Sequence, residues 1–490
     1  MRRINGVRVV VVWRKASRGQ TLSDAQRRTI YALSTPPGKG GVAVIRVSGP
    51  HALLVWESMV RKPGHAPLPS PWRMERCKII HPETREHLDE GLAVFFKGPK
   101  SFTTEDVLEL HIHSGRAVIS SVLNALGALP FCRQAEAGEF TRRAFLGGRL
   151  DLTQVEGLQD LINADTESQR RLALGAVGGH VRAQFDDLRS RIIRCLANVE
   201  ALIDFGEGEE IEEGIYEQSQ QEARNLLSLI RGYLQDTRKG EIIRSGIRLA
   251  IFGPPNAGKS SLLNFLAQRD AAIVTPVPGT TRDILDVSLD IAGLPIVVSD
   301  TAGLRQTDDI VEKIGVQRAK EAVSKSDVAL CVLSLPGILK KNPNGHHLEI
   351  PESIRPILTD GTFILLNKSD LVSGTRELDT AKQAFPGAWV ASLATGEGLS
   401  EFVDGMGQTL LDRFGFEHSG GSPLITRIRH RTHLESACRF LEAFLATPPT
   451  DIVLAAEELR YAARAVGKVS GLIDVEHVLD SVFKDFCIGK

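Results

Sequence analysis

The sequence predicts a multidomain chain. It has an α+β N-terminal domain, a discontinuous α-helical domain, and an α/β domain inserted between that helical domain's two segments. Three observations predict this. Short β-rich runs separated by turns continue to about residue 147. Apolar residues at helical spacing then run from about Leu150 to Lys239 and return after Pro423. Between these stretches an apolar strand, Ile247–Phe252, opens a segment where strands and helices alternate to about Arg413.

The leader differs from the rest. It holds Arg2, Arg3, Arg8, Arg14, Lys15 and Arg18, with no acid before Asp24. Arg-rich and acid-free is the composition of a mitochondrial transit peptide, assigned here to residues 1–25; a disordered basic tail is the alternative. Residues 26–147 form the first domain, with strands over Val42–Val47, Lys78–Ile80, Leu92–Phe96 and Val107–Ile112 and a helix over Ala117–Leu126. Pro63, Pro67, Pro69 and Pro71 mark a loop inside it. The first helical segment, 148–242, places Leu152, Val155, Leu158, Leu161 and Ile162, then Leu188, Ile192, Cys195, Leu196 and Val199, at helical spacing. The α/β segment spans 243–415, and the second helical segment is 416–490. An insertion of this kind suits a site where chain ends lie close together.

Composition sets limits. The 490 residues are 42% hydrophobic and 24% charged, as in soluble domains with ordinary cores. The net charge of −1 excludes an overall basic footprint, so any RNA contact must be a local patch. Six cysteines, at 77, 132, 195, 331, 438 and 487, form no Cys-x-x-Cys pair or zinc-ligand spacing, which points to free, mostly buried thiols in a reducing compartment. No apolar stretch approaches ~18 residues, so no membrane span is expected.

The chemistry lies in the α/β segment. Gly253-Pro-Pro-Asn-Ala-Gly258-Lys259-Ser260 has the spacing of a phosphate loop, between the strand and a helix over Ser261–Leu266. Backbone N–H groups at such a helix start curl around phosphate, Lys259 neutralises it, and Ser260 Oγ ligates Mg²⁺. Ser299-Asp300-Thr301-Ala302-Gly303 follows the strand Pro295–Val298. Asp300 is suited to hold the Mg²⁺ shell and the Gly303 N–H to sense a γ-phosphate. Between them Thr275-Pro-Val-Pro-Gly279-Thr280-Thr281 offers a hydroxyl, Thr281, that completes the Mg²⁺ shell only with γ-phosphate present, which makes the loop a switch. Asn367-Lys368-Ser369-Asp370 follows the strand Phe363–Leu366. Asp370 accepts from guanine N1–H and the 2-amino group, whereas adenine would leave that carboxylate unpaired. Ser392-Leu393-Ala394 is a weaker second base-contacting loop, with Leu where Ala is usual. The P-loop G domain thus predicts a GTP site of Asn256, Gly258, Lys259, Ser260, Ser261, Thr275, Thr280, Thr281, Asp300, Gly303, Asn367, Lys368, Asp370 and Ser392.

Hydrolysis needs a water-orienting group. After Gly303 comes Leu304, which cannot serve as a glutamine does in Ras-like enzymes. Asp308, Asp309 and Glu312 are carboxylates that could serve, and spacing alone does not choose among them or exclude a solvated acidic loop.

From Thr29 to Lys490 the chain resembles the MnmE (TrmE) family of tRNA-modifying GTPases in its mitochondrial form. The resemblance rests on Thr35-Pro-Pro-Gly-Lys-Gly-Gly-Val-Ala-Val-Ile-Arg46, Ser101-Phe-Thr-Thr-Glu-Asp-Val-Leu-Glu109, Glu136-Ala-Gly-Glu-Phe-Thr-Arg, Leu150-Asp-Leu-Thr-Gln-Val-Glu-Gly and the ending Phe486-Cys-Ile-Gly-Lys490. It implies a folate-binding N-terminal domain that also makes a homodimer. It implies K⁺ in place of an arginine finger, held by Asn256, Thr275, Val277 and Thr280, with Glu312 and Lys259 catalytic. It implies a site for 5-formyl- or 5,10-methylene-tetrahydrofolate at Arg46, Glu109, Arg149 and Lys490, with Arg149 standing where the family commonly has Lys. An internal ion pair is the alternative for Arg46 and Glu109. The implied reaction, shared with an MnmG-type FAD protein, installs a carboxymethylaminomethyl or taurinomethyl group at C5 of the wobble uridine of tRNA in the mitochondrial matrix. A ribosome-assembly GTPase, which has no need of residues 29–150 or the ending, is the alternative.

Three features carry less. Cys487 is a nucleophile candidate whose alternative, a buried structural thiol, is favoured. Arg427-Ile-Arg429-His430-Arg431-Thr-His433 is either a contact for RNA phosphates or a solvated helix face. Lys340 to Ile350, with Asn-Pro-Asn-Gly, reads as a surface loop.

Overall fold

A computed structural model of the chain describes residues 28–62, 68–205, 214–235, 237–269, 287–298, 312–342, 345–372, 375–414, 424–472 and, near the end, 482–483, 486 and 488–489. The leader therefore lies outside the described residues. The chain divides into two compact units, Met1–Val155 with Gly471–Lys490, and Glu156–Ser470.

The first unit is built on a seven-stranded sheet in the order Val60–Arg61, Met74–Ile80, His87–Phe96, Val107–Ile112, Ala43–Ser48, Thr29–Leu33, Cys132–Gln134. All neighbours are antiparallel except the last pair, Thr29–Leu33 with Cys132–Gln134. The period-2 pattern of each strand sends Ile45, Val47, Leu108 and Leu110 to one face. There they form a core with Trp56 and Met59 of the helix Ala52–Met59 and Val122 and Leu126 of the helix Arg116–Gly127. On the other face Ile30 and Ala32 pack with Ala135 and Phe140, against Phe102. Arg46 stands opposite Glu109 in the pairing of Ala43–Ser48 with Val107–Ile112.

Residues near the end of the chain belong to this unit. Phe483 and Phe486 pack with Phe145, Leu152 and Val155, Ile488 bridges Ala137, and the Ser34 hydroxyl donates to the Gly489 carbonyl at 2.9 Å. Gly489 has φ +102°, and a Cβ there would sit 2.1 Å from the Leu33 carbonyl oxygen, so only glycine fits. The sequence reading attached 416–490 as a whole to the helical domain. Aromatic partners in the N-terminal unit draw its last residues away from the helices that precede them.

In the second unit the helices His180–Phe205, Ile215–Gln235, Ile428–Ala446 and Ile452–Val469 share one core, in which Phe185, Ile192, Leu226, Leu441, Phe444, Leu459 and Val466 are buried. The sequence between these helix pairs forms a six-stranded sheet in the order Trp389–Val390, Phe363–Asn367, Val328–Ser334, Ile247–Phe252, Leu294–Val298, Val287–Ile291. It is parallel apart from the last strand. One core joins it to the helices Lys259–Arg269 and Leu399–Arg413, and another to Glu312–Lys325 and Thr375–Ala384. The Lys340–Ile350 stretch is not a bare loop: Leu339–Asn342 pairs antiparallel with Gly345–Leu348. The polar residues of the two strands conceal the strand pattern.

The basic run at 427–433 is also corrected. Its arginines and His430 neither project as a solvated stripe nor stand free for phosphate. Arg429 donates from Nε and Nη2 to the two carboxylate oxygens of Glu156, each at 3.0 Å. His430 Nε2 lies 2.9 Å from Glu156 Oε2, and Arg427 Nη2 donates to Asp160 at 2.7 Å. Arg244 Nε donates to the Thr426 carbonyl at 3.0 Å. The Glu156 side chain is only 4% exposed. Burial pushes its carboxyl up, but His430, Arg429 and Arg427 outweigh that and hold it well below the usual carboxylate range. Burial pushes His430 down, and because an ionised carboxylate only accepts, its Nε2 is the donor to Glu156. The five described cysteines are free and buried.

Glu156→Ala takes from Arg429 and the buried His430 the carboxylate they share. The expected loss is about 3–5 kcal/mol in denaturant unfolding, and a loss within ~0.5 kcal/mol, the usual range for an ordinary surface change, would refute the role. Both depressed groups contribute stability above their unfolded pKa values and lose it as pH falls. Wild-type stability therefore declines below about 6.5 through His430 and further below about 4.5 through Glu156. Unfolding midpoints measured from pH 5 to 3 in wild type and Glu156→Ala check that the variant lacks the added decline below about 4.5.

Candidate functional site

The phosphate loop grows from the strand Ile247–Phe252 and ends in the helix Lys259–Arg269. Close approach selects its glycines. A Cβ on Gly253 (φ +150°) would lie 2.1 Å from the Val332 carbonyl oxygen, and one on Gly258 (φ +105°) 2.2 Å from Asn367 Nδ2. Asn256 sits in the left-handed region at φ +59°, which asparagine tolerates, with its side chain exposed. Lys259 Nζ donates to the carbonyls of Gly253 at 3.0 Å and Pro254 at 2.8 Å, folded over its own loop. Burial depresses the Lys259 pKa, and an anion above the loop would oppose that shift. Ser260 and Ser261 occupy the first helical turn, where backbone N–H groups lack helical acceptors.

The base-reading motif meets this loop directly. Asn367 ends the strand Phe363–Asn367 and is 2% exposed. Its Nδ2 donates to the Ala257 carbonyl at 2.8 Å, and its Oδ1 accepts from the Leu393 N–H at 3.0 Å. One amide thus clamps the phosphate loop and the 392–394 loop together. Lys368 adopts φ +66° and turns the chain toward Asp370, whose Oδ1 accepts from the buried Ser392 hydroxyl at 2.5 Å. These groups lie beyond the carboxyl ends of parallel strands, where open α/β sheets bind ligands. Thr275, Val277, Thr280, Thr281, Asp300 and Gly303 lie outside the described residues, as do Asp308 and Asp309. Glu312 is the first residue of the helix Glu312–Lys325.

On the N-terminal sheet the expected folate residues gather around Phe102. Arg46 Nε donates to Glu109 Oε1 at 2.8 Å, with side chains 21% and 17% exposed. The Arg46 guanidinium lies 5.4 Å from the Phe102 ring centroid and 5.8 Å from that of Phe140, and Arg149 lies 5.8 Å from Phe102. Arg149 also donates to the Ser101 carbonyl. The ion pair of the alternative reading is therefore present, on a half-open face that keeps the second oxygen of Glu109 available. Burial pushes the Glu109 carboxyl up, and His111 and Arg46 bring it below its ordinary value. Lys490 and Cys487 lie outside the described residues. His111 is the member of this group that the sequence reading missed. Its signal was the spacing of two from Glu109, which places both side chains on one face of a strand.

The family model described as MnmE helical domain matches residues 152–487, and that described as GTP-binding protein TrmE N-terminus matches residues 29–149. The mitochondrial 5-taurinomethyluridine tRNA synthase subunit of Danio rerio is 46% identical over 473 residues, covering 94% of this chain and 93% of its own. The Homo sapiens protein of the same name is 41% identical over 470 residues, with the same coverage. The tRNA modification GTPase MnmE of Parvibaculum lavamentivorans is 45% identical over 467 residues, covering 94% of this chain and all of its own.

Asn367→Ala removes both arms of the clamp and leaves the buried Leu393 N–H unpaired. Affinity for a fluorescent guanine nucleotide is expected to fall at least about tenfold, since two bonds at ~1 kcal/mol each are lost. Affinity equal to wild type would show that the clamp does not organise the site.

Proposed function

The chain belongs to the MnmE (TrmE) family of tRNA modification GTPases, and we propose that it is a K⁺-dependent member acting on wobble uridines of mitochondrial tRNAs. With an MnmG-type FAD protein it installs a carboxymethylaminomethyl or taurinomethyl group at C5, drawing the carbon from a tetrahydrofolate donor. Taurinomethyl is the group in the names of the Danio rerio and Homo sapiens relatives. Their mitochondrial designation and the Arg-rich, acid-free leader support placement in the mitochondrial matrix. In the proposed arrangement 243–415 is a G domain inserted into a discontinuous helical domain, and the chain works as a homodimer through its N-terminal domains.

The observation that carries this reading is the coexistence in one chain of two sites. One is the Asn367-clamped nucleotide loop, and the other is the Arg46–Glu109–Phe102–Arg149 cradle. A ribosome-assembly GTPase needs the first and has no use for the second. In the proposed mechanism Lys259 leaves the carbonyls of its own loop to hold β- and γ-phosphate oxygens. Ser260 and Thr281 hold Mg²⁺, with Asp300 in its outer shell, and Gly303 reports the γ-phosphate. Asn256, exposed in the phosphate loop with a left-handed backbone, would hold K⁺; Thr275, Val277 and Thr280 complete the set. A potassium ion there supplies positive charge where the transition state gathers negative charge. Glu312 orients the attacking water, the task Leu304 cannot perform. Asp370 and Ser392 select guanine. On the sheet, Glu109 accepts from the pterin, and Arg46, Arg149 and Lys490 hold anionic groups of the folate. Cys487 is assigned a structural role beside the folate site.

Replacing potassium by sodium should lower GTP turnover at least about tenfold, and Glu312→Ala by roughly 10²–10³-fold. Turnover indifferent to both changes would eliminate the mechanism. After deletion of the gene, mass spectrometry should find mitochondrial tRNA wobble uridines bare at C5. Unchanged modification would favour the ribosome-assembly reading.

A further inference from the structure

His111 has no part in the arrangement above, yet it faces the same oxygens. It follows Glu109 by two residues on the strand Val107–Ile112, so both side chains emerge on one face. In the pairing across the sheet, His111 stands opposite Val44 on one side and Leu92 on the other, and Glu109 stands opposite Arg46 and Val94. Directly opposed residues share a face. Val44 is half-buried and Leu92 is 39% exposed, which leaves an apolar floor around the two polar groups.

The polar atoms form an ordered edge. Glu109 Oε1 is held by Arg46 Nε at 2.8 Å. Glu109 Oε2 lies 3.7 Å from His111 Nε2, which is too long for a hydrogen bond. His111 Nε2 is buried and has no hydrogen-bond partner among the described residues. A desolvated ring nitrogen without a partner is costly unless a ligand supplies one. A carboxylate alongside favours the tautomer with the proton on that nitrogen. The site therefore reads donor, acceptor, acceptor: His111 Nε2–H, then the two oxygens of Glu109.

The pyrimidine edge of a 4-oxo pterin is the complement of this row, reading acceptor, donor, donor through its 4-oxo group, N3–H and 2-amino group. We infer that His111 is a specificity-determining residue of the folate site, donating from Nε2 to the 4-oxo oxygen while Glu109 accepts from N3–H and the 2-amino group. This inference rests on the folate reading given under Proposed function. The apolar floor of Val44, Val94 and Leu92 suits the flat ring, and the half-open face admits it from one side. A 4-amino-4-deoxy pteridine presents a donor where the 4-oxo group was. It would meet the His111 N–H head-on, and buried groups arranged for one hydrogen-bond pattern reject the reverse pattern strongly.

The test measures binding of 5-formyltetrahydrofolate and of its 4-amino-4-deoxy counterpart to the full chain by titration calorimetry. Wild type is expected to prefer the 4-oxo ligand by at least about tenfold. His111→Leu should weaken the 4-oxo ligand about tenfold and leave the 4-amino ligand nearly unchanged, so that the preference collapses. His111→Gln, which keeps an N–H donor, should restore 4-oxo binding to within about threefold of wild type. His111→Leu binding both ligands as wild type does would overturn the role of His111 and leave the folate reading standing. Equal weakening of both ligands in both variants would reduce His111 to a structural residue and overturn the inference. Wild type binding neither ligand would remove the folate reading and this inference together.

Discussion

A carboxylate taken out of water must be paired, and Glu156 is the group on which this rule bears hardest. Its partners come from far along the chain. Arg429 and His430 open the helix Ile428–Ala446, 273 and 274 residues away. Asp160, one turn beyond Glu156, takes Arg427, and Arg244, just before the strand Ile247–Phe252, reaches the carbonyl of Thr426. Chain leaving the helices for the parallel sheet and chain returning from it are thus fastened at one charged knot. The ions give the junction one arrangement, since any sliding of these segments would strip a buried charge of its counterion. Oily contacts between the same helices would tolerate small shifts.

The nucleotide end of the sheet obeys a steric rule of similar force. The Val332 carbonyl and the Asn367 amide press so close that no Cβ is admitted at Gly253 or Gly258. The space freed at Gly258 is taken up by Asn367, whose amide joins two loops that are distant in sequence. The Asn367–Asp370 segment, the Gly253–Ser260 loop and the 392–394 loop are therefore joined in one piece. Lys259, bonded to its own loop carbonyls, holds its charge ready at the edge of that piece.

Much of this was legible in the sequence, for reasons that differ by region. Phosphate chemistry demands particular residues at fixed spacing, so Gly253 to Ser260 and Asn367 to Asp370 could be placed beside one another from spacing alone. The strand Ile247–Phe252 emerged with its predicted ends because it is apolar at every position but Arg248 and bounded by glycines. The Arg427–His433 run was opaque for the opposite reason: a charge is read by its neighbours, and its carboxylate partners Glu156, Asp160 and Glu241 lie far upstream, the nearest 190 residues away. The strand pair Leu339–Asn342 and Gly345–Leu348 was hidden by the consecutive lysines 340 and 341 and histidines 346 and 347, which break the period-2 pattern. His111 was passed over because one histidine on a strand carries no meaning until the oxygen beside it is known.

The tail contact has a consequence for local order. The Ser34 to Gly489 bond spans 455 residues. Loop-closure entropy grows only slowly with length, so joining ends this far apart costs little more than joining ends half as distant. Ordering of Gly489 and ordering of the first strand are thus one event, and loosening either end loosens the other.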